Sequence, residues 1–141
     1  MLHGTEATGK SAITEALLQR LAQKYDDAFR YAIVNSIECI TERHFLERTI
    51  ARVADALQRE DKNSRCDDAA QLVYQLGRML QPAQHPDGFR FVLVFDAIDR
   101  QRDAQPTLIP ALARLSEIVS PSLHPSLSRS LDANLMILLD H

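Results

Sequence analysis

Gly4-Thr5-Glu6-Ala7-Thr8-Gly9-Lys10-Ser11 fits the spacing G-x-x-x-x-G-K-S/T without a gap, the pattern of a loop that wraps a polyphosphate. Each residue type answers a requirement of that chemistry. Glycines let successive backbone N–H groups turn toward the phosphates, Lys10 supplies a cation for the β and γ phosphates, and Ser11 offers a hydroxyl to Mg2+. Glu6 has the wrong charge for an anionic ligand and is expected to face solvent from a variable loop position. Residues 4–11 are therefore predicted to bind nucleotide, with ATP and Mg2+ as the ligands.

Such a loop needs an acidic partner at the end of a neighbouring apolar strand, to hold Mg2+ or its water shell. Asp96 directly follows Phe91-Val92-Leu93-Val94-Phe95 and is the predicted metal residue. Many hydrolysing ATPases place a glutamate next, where it polarises the attacking water, but position 97 is alanine. Loss of a general base typically costs roughly 10²- to 10⁴-fold in rate, so the expectation is ATP binding with little or no hydrolysis. Asp99 offers a second carboxylate close by, with the alternative role of a solvated turn residue or helix cap.

These side chains need elements to hold them. Ile13, Leu17, Leu18 and Leu21 recur at helical spacing, which predicts a helix over residues 11–24. The phosphates would then lie at a helix N-terminus carrying roughly half a positive charge. Tyr31-Ala32-Ile33-Val34-Asn35 reads as a short buried strand. Thr41 can cap a helix whose apolar face is Leu46, Ile50, Val53 and Leu57, and Leu72, Val73, Leu76, Met79 and Leu80 define another that ends before Pro82. Met79 belongs to the predicted core. Gly88 closes a turn-rich stretch before the strand that ends at Asp96. Pro106 and Thr107 open a helix carrying Leu108, Leu112, Leu115 and Ile118, and after a Ser- and Pro-rich connection Leu135-Met136-Ile137-Leu138-Leu139 reads as a further strand. Strands alternating with helices predict an α/β fold, a parallel sheet flanked by helices on both faces.

Composition narrows the partners. At 141 residues the chain is one domain, long enough to bury about two-thirds of its unfolded surface. A 45% hydrophobic and 25% charged composition is that of an ordinary globular protein. No apolar run approaches the roughly 20 residues a membrane span requires, so no membrane partner is expected. A formal net charge of −3 supplies no basic field for gripping DNA unaided. Cys39 and Cys66 are expected to be reduced thiols, and the five histidines show no zinc-ligand spacing.

With Asn35-Ser36-Ile37-Glu38-Cys39 following the first predicted strand, and with the loop at residues 4–11, the chain resembles the AAA+ domain of the fifth-subunit family of the eukaryotic origin recognition complex. The segment His3 to Ser11 resembles that family's loop, and Asn35-Ser36-Ile37-Glu38-Cys39 matches its Asn-x-x-Glu-Cys segment after strand two. Phe45-Leu46-Glu47 and the run from Leu108 to Leu115 resemble its next helices, and the strand ending at Asp96 lacks the following glutamate as the family's does. The resemblance implies a P-loop NTPase fold of AAA+ type and a nuclear, ATP-binding subunit that acts in replication initiation and helicase loading. Its implied partners are other origin recognition complex subunits, the third and fourth among them, and origin DNA through the assembled complex. Against the family's strand order 5-1-4-3-2, strand one is reduced to Met1-Leu2-His3, while strand five, the lid and the winged helix are missing, so the chain is expected to be a partial domain truncated at both ends. Asp140 falls near the family's first sensor position, where an anion suits phosphate poorly.

Two other readings stay open on the residues alone. Asp96-Ala97-Ile98-Asp99 resembles the Asp-x-x-Asp of STAND-type signalling NTPases, which carry a nucleotide-switched oligomerisation module. A small metabolite kinase fits the length, but Thr8 stands where such enzymes commonly have a third glycine, and no arginine-bearing lid is evident.

Overall fold

Among the described residues, three parallel strands form one sheet in the order β1-β2-β3, with β1 at Phe29–Asn35, β2 at Arg90–Asp96 and β3 at Leu135–Leu139. The computed structural model describes residues 9–60, 64–81, 84–86, 88–98, 108–114 and 135–139. Asn35 lies opposite Asp96, and Phe95 opposite Leu139, so the strands end level with one another. Parallel neighbours cannot be joined by a tight hairpin and need crossovers. Helices α2 (Glu42–Ala56) and α3 (Ala69–Met79) lie between β1 and β2, and α4 (Leu108–Ala113) between β2 and β3. Helix α1 (Lys10–Tyr25) precedes β1 and packs on it.

Successive strand side chains point to opposite faces, and both faces here are covered. Phe29, Val92 and Val94 meet Leu18 of α1 on one face, with Tyr31 and Ile33 packed alongside. The other face carries Ala32, Val34, Phe91, Leu93 and Phe95, packed in the main core with Phe45, Leu46, Ile50 and Val53 of α2, Leu72 and Leu76 of α3, and Leu108 and Leu112 of α4. Complete burial of one such aliphatic or aromatic side chain is worth about 1.5–3 kcal/mol, so this larger cluster carries most of the fold's stability.

Local chemistry fixes where the crossover helices begin and end. The Thr41 hydroxyl accepts from the His44 N–H at 3.1 Å, and Asp68 Oδ1 accepts from the Gln71 N–H at 2.8 Å. Gln71 returns the favour by accepting the Asp67 N–H at 3.0 Å, a reciprocal arrangement close to a capping box. Helix α2 ends with Gln58 in the left-handed region at φ 56. The Arg59 and Gln58 N–H groups bond back to the carbonyls of Ala54 and Asp55, which satisfies the helix's last acceptors.

The predicted elements are present with shifted ends. Strand β1 begins two residues before Tyr31, and α3 begins three before Leu72, where Asp68 caps it. Helix α1 differs in its apolar face. Leu18 is buried and Leu21 half-buried, yet Ile13 and Leu17 are 68% and 56% exposed. At about 100° per residue, Leu17 and Ile13 sit about 100° and 140° around the helix from Leu18, too far to share its contact with the sheet. Thr14, Leu18, Leu21 and Ala22 form the contacting stripe instead. Pro106, Thr107, Leu115 and Ile118 lie outside the described residues.

Candidate functional site

Gly9 occupies the N-cap of α1 with φ 73 and ψ 13, a left-handed conformation that glycine adopts without a Cβ penalty. Glycine has no side chain to accept a hydrogen bond at this cap, and the first turn contains no acidic residue. Helices α2 and α3 differ, since Thr41 and Asp68 satisfy an N–H at each start. Lys10, a cation, begins α1 where the helix dipole already presents positive charge. Such an N-terminus has the electrostatics of a receptor for an anion.

Ser11, one residue into α1, donates its hydroxyl to Oδ1 of Asp96 at 3.1 Å. The alternation of β2 explains the meeting. Phe95 faces the main core while Val94 faces α1, so Asp96 falls on the α1 side at the strand's C-terminal end. Ser11 is exposed and Asp96 half-buried, which leaves the pair open to a ligand. A hydroxyl and a carboxylate are hard oxygen donors, and Mg2+ is commonly held by one carboxylate, a loop hydroxyl, nucleotide phosphates and water. Ser11 and Asp96 therefore fit that ion, and the ion would supply charge neutralisation at the phosphates. Among the described residues no group of three His, Cys, Asp or Glu side chains converges as a metal site.

Gly4, Thr5, Glu6, Ala7 and Thr8 lie outside the described residues, as do Asp99 and Asp140. The structure brings Ser11 and Asp96 together, with Gly9 and Lys10 adjoining them in the chain.

Asn35 is the register partner of Asp96, but its side chain is committed elsewhere. Its Oδ1 accepts from the Ile37 N–H at 3.0 Å, starting the short helical turn Ser36–Glu38. The Cys39 N–H then bonds to the Ser36 carbonyl at 3.1 Å, and Arg48 of α2 donates to Glu38 at 3.3 Å. The Asn35 to Cys39 segment thus acts as a joint that delivers the chain from β1 into α2. Both cysteines are buried. Burial pushes the Cys66 thiol up to about 11 and raises Cys39 too, against the pull of Arg48, so neither is a ready nucleophile.

The left-handed backbone of Ala97 is the feature that sequence reasoning missed. It has φ 53, immediately after the carboxylate of the site. Alanine carries no preference for the left-handed region, so composition held no signal for it. The turn formed by Asn35 was discoverable, since asparagine commonly bonds a backbone N–H two residues on.

A parallel sheet covered on both faces, a helix capped by Gly9 and an acidic strand end that meets its first turn fit an α/β P-loop fold of the AAA+ type. The AAA ATPase domain family matches residues 1–125, and the chain belongs to that family. It is similar to origin recognition complex subunit 5 of Drosophila melanogaster, with 32% identity over 126 residues, covering 86% of this chain and 25% of the relative. It is also similar to origin recognition complex subunit 5 of Homo sapiens, with 27% identity over 120 residues, covering 83% of this chain and 26% of the relative. The chain spans about a quarter of the length of these curated relatives.

Proposed function

We propose that the chain is the nucleotide-binding part of an origin-recognition subunit, which holds ATP and Mg2+ with little or no hydrolysis. Residues Gly4, Thr5, Glu6, Ala7, Thr8, Gly9, Lys10 and Ser11 form the phosphate loop in this reading, and Ser11 and Asp96 hold the metal. The apposition of Ser11 and Asp96 at 3.1 Å carries the proposal, because two residues far apart in sequence meet where a P-loop site needs them. Ala97, in place of a water-polarising glutamate, supports the absence of turnover.

Bound ATP then acts as an assembly clamp. A ligand that binds the assembled form more tightly stabilises it by mass action, and no turnover is needed for that. The similarity to origin recognition complex subunit 5 supports a nuclear role in replication initiation and helicase loading. In this reading the partners are other origin recognition complex subunits, the third and fourth among them, and origin DNA is reached through the complex. A net charge of −3 is consistent with DNA contact that depends on neighbours. Nucleotide content and phosphate release of the purified full-length protein test the reading. Retained ATP without turnover supports it, whereas failure to bind ATP or multiple rapid turnovers would refute it.

A further inference from the structure

Position 97 lies between two residues anchored in the same core. Phe95 and Ile98 are 0% and 1% exposed, and both belong to the cluster on the α2 side of the sheet. In a continuing strand, residues three apart point to opposite faces, so Ile98 would emerge on the α1 side beside Asp96. The left-handed turn at Ala97, φ 53, returns the chain to the core one residue later than strand alternation would. Relative to a parallel-strand φ near −120°, this is a rotation of roughly 170° about the N–Cα bond. Left-handed residues other than glycine are uncommon, and strained conformations cluster at functional sites.

We propose that Ala97 is a positioning residue: its left-handed turn, pinned by Ile98, ends β2 at Asp96, holds in place the carboxylate that strand alternation has turned toward Ser11, and takes position 97 out of line for a carboxylate base. The inference rests on the non-hydrolysing reading above and deepens it. Loss of turnover is then a property of the backbone at this strand end, beyond the missing carboxylate. Restoring a glutamate does not restore the site.

The test uses full-length protein with Ala97→Gly, Ala97→Val and Ala97→Glu, comparing ATP affinity with Mg2+ and with EDTA, phosphate release, and melting temperature. Ala97→Gly keeps Mg2+-dependent affinity within about twofold of wild type and melts at or above it, since glycine adopts the turn freely. Ala97→Val, β-branched and averse to this region, loses at least about tenfold of the Mg2+-dependent affinity with its EDTA affinity unchanged. Ala97→Glu releases phosphate no faster than wild type. A rise in Ala97→Glu of roughly 10²-fold, the low end of a general base's contribution, overturns the proposal. So does wild-type Mg2+ dependence in Ala97→Val. If wild type binds no ATP, the functional reading fails separately, and the conformational claim is decided by melting: valine at least about 2 °C below glycine sustains it and equal values overturn it. Should the valine variant not fold, the glycine and glutamate variants still decide.

Discussion

The ring of Phe45 in α2 lies 5.3 Å from that of Phe95 in β2, tilted by 43°, and Phe95 is the residue that precedes Asp96. The main core and the candidate site are therefore joined by one peptide bond. Both rings are fully buried, and replacing either by alanine is expected to cost about 3–5 kcal/mol. Urea unfolding of Phe45→Ala measures the loss, with milder loss in Phe45→Leu. A cost below about 1 kcal/mol for Phe45→Ala would contradict the packing.

Asp96→Asn keeps the size of the side chain and removes its charge. Hydrogen bonds to charged groups contribute about 1.5–3 kcal/mol, so ATP affinity in Mg2+ should fall roughly 10- to 100-fold. Affinity in EDTA should stay near the wild-type value. Titration calorimetry under both conditions separates the outcomes, and equal losses in each would point away from a metal role.

Thr14 of α1 is buried, and its hydroxyl has no hydrogen-bond partner in the structure among the described residues. An unsatisfied buried hydroxyl costs about 1–3 kcal/mol, and valine has the same shape without it. Thr14→Val should therefore raise stability by about 1 kcal/mol, measured as a higher urea midpoint with an unchanged slope. A lower midpoint would reveal a partner for the hydroxyl.

The buried Cys66 thiol, raised to about 11, predicts a pH dependence of defined sign. The native state holds this proton more tightly than the unfolded chain, whose thiol ionises near 8.5. Its contribution is fully present below that value and is lost as pH rises through about 11. The Cys66→Ala variant should show a shallower fall in stability across this window than wild type. Native protein at pH 8 should also react slowly with a thiol reagent at both Cys39 and Cys66, whose side chains are buried, and quickly once unfolded. Rapid labelling of the native state would contradict their burial.

The helix-capping side chains should behave as local contacts. Asp68→Ala removes the acceptor for the Gln71 N–H and should destabilise by about 1 kcal/mol, with Asp68→Ser recovering most of it. Chemical denaturation of the pair measures the difference.

By itself the sequence determined the elements and the kinds of chemistry available. The periodicity of Leu46, Ile50 and Val53 and the apolar runs at Phe91 to Phe95 and Leu135 to Leu139 depend only on which side chains avoid water, and these patterns are local. The spacing from Gly4 to Ser11 is equally local, since a loop that wraps phosphate is built from neighbours in the chain. Tertiary structure decided what required distant residues to meet. Ile13 and Leu17 have the same apolar character as Leu18, and only the placement of the sheet selects which stripe of α1 is buried. Ser11 reaches Asp96 because β1 and β2 pair in register beneath that helix. Ala97 turns left-handed because Phe95 and Ile98 are both drawn into one core, and the energy of burying the two side chains outweighs the local preference of the alanine between them.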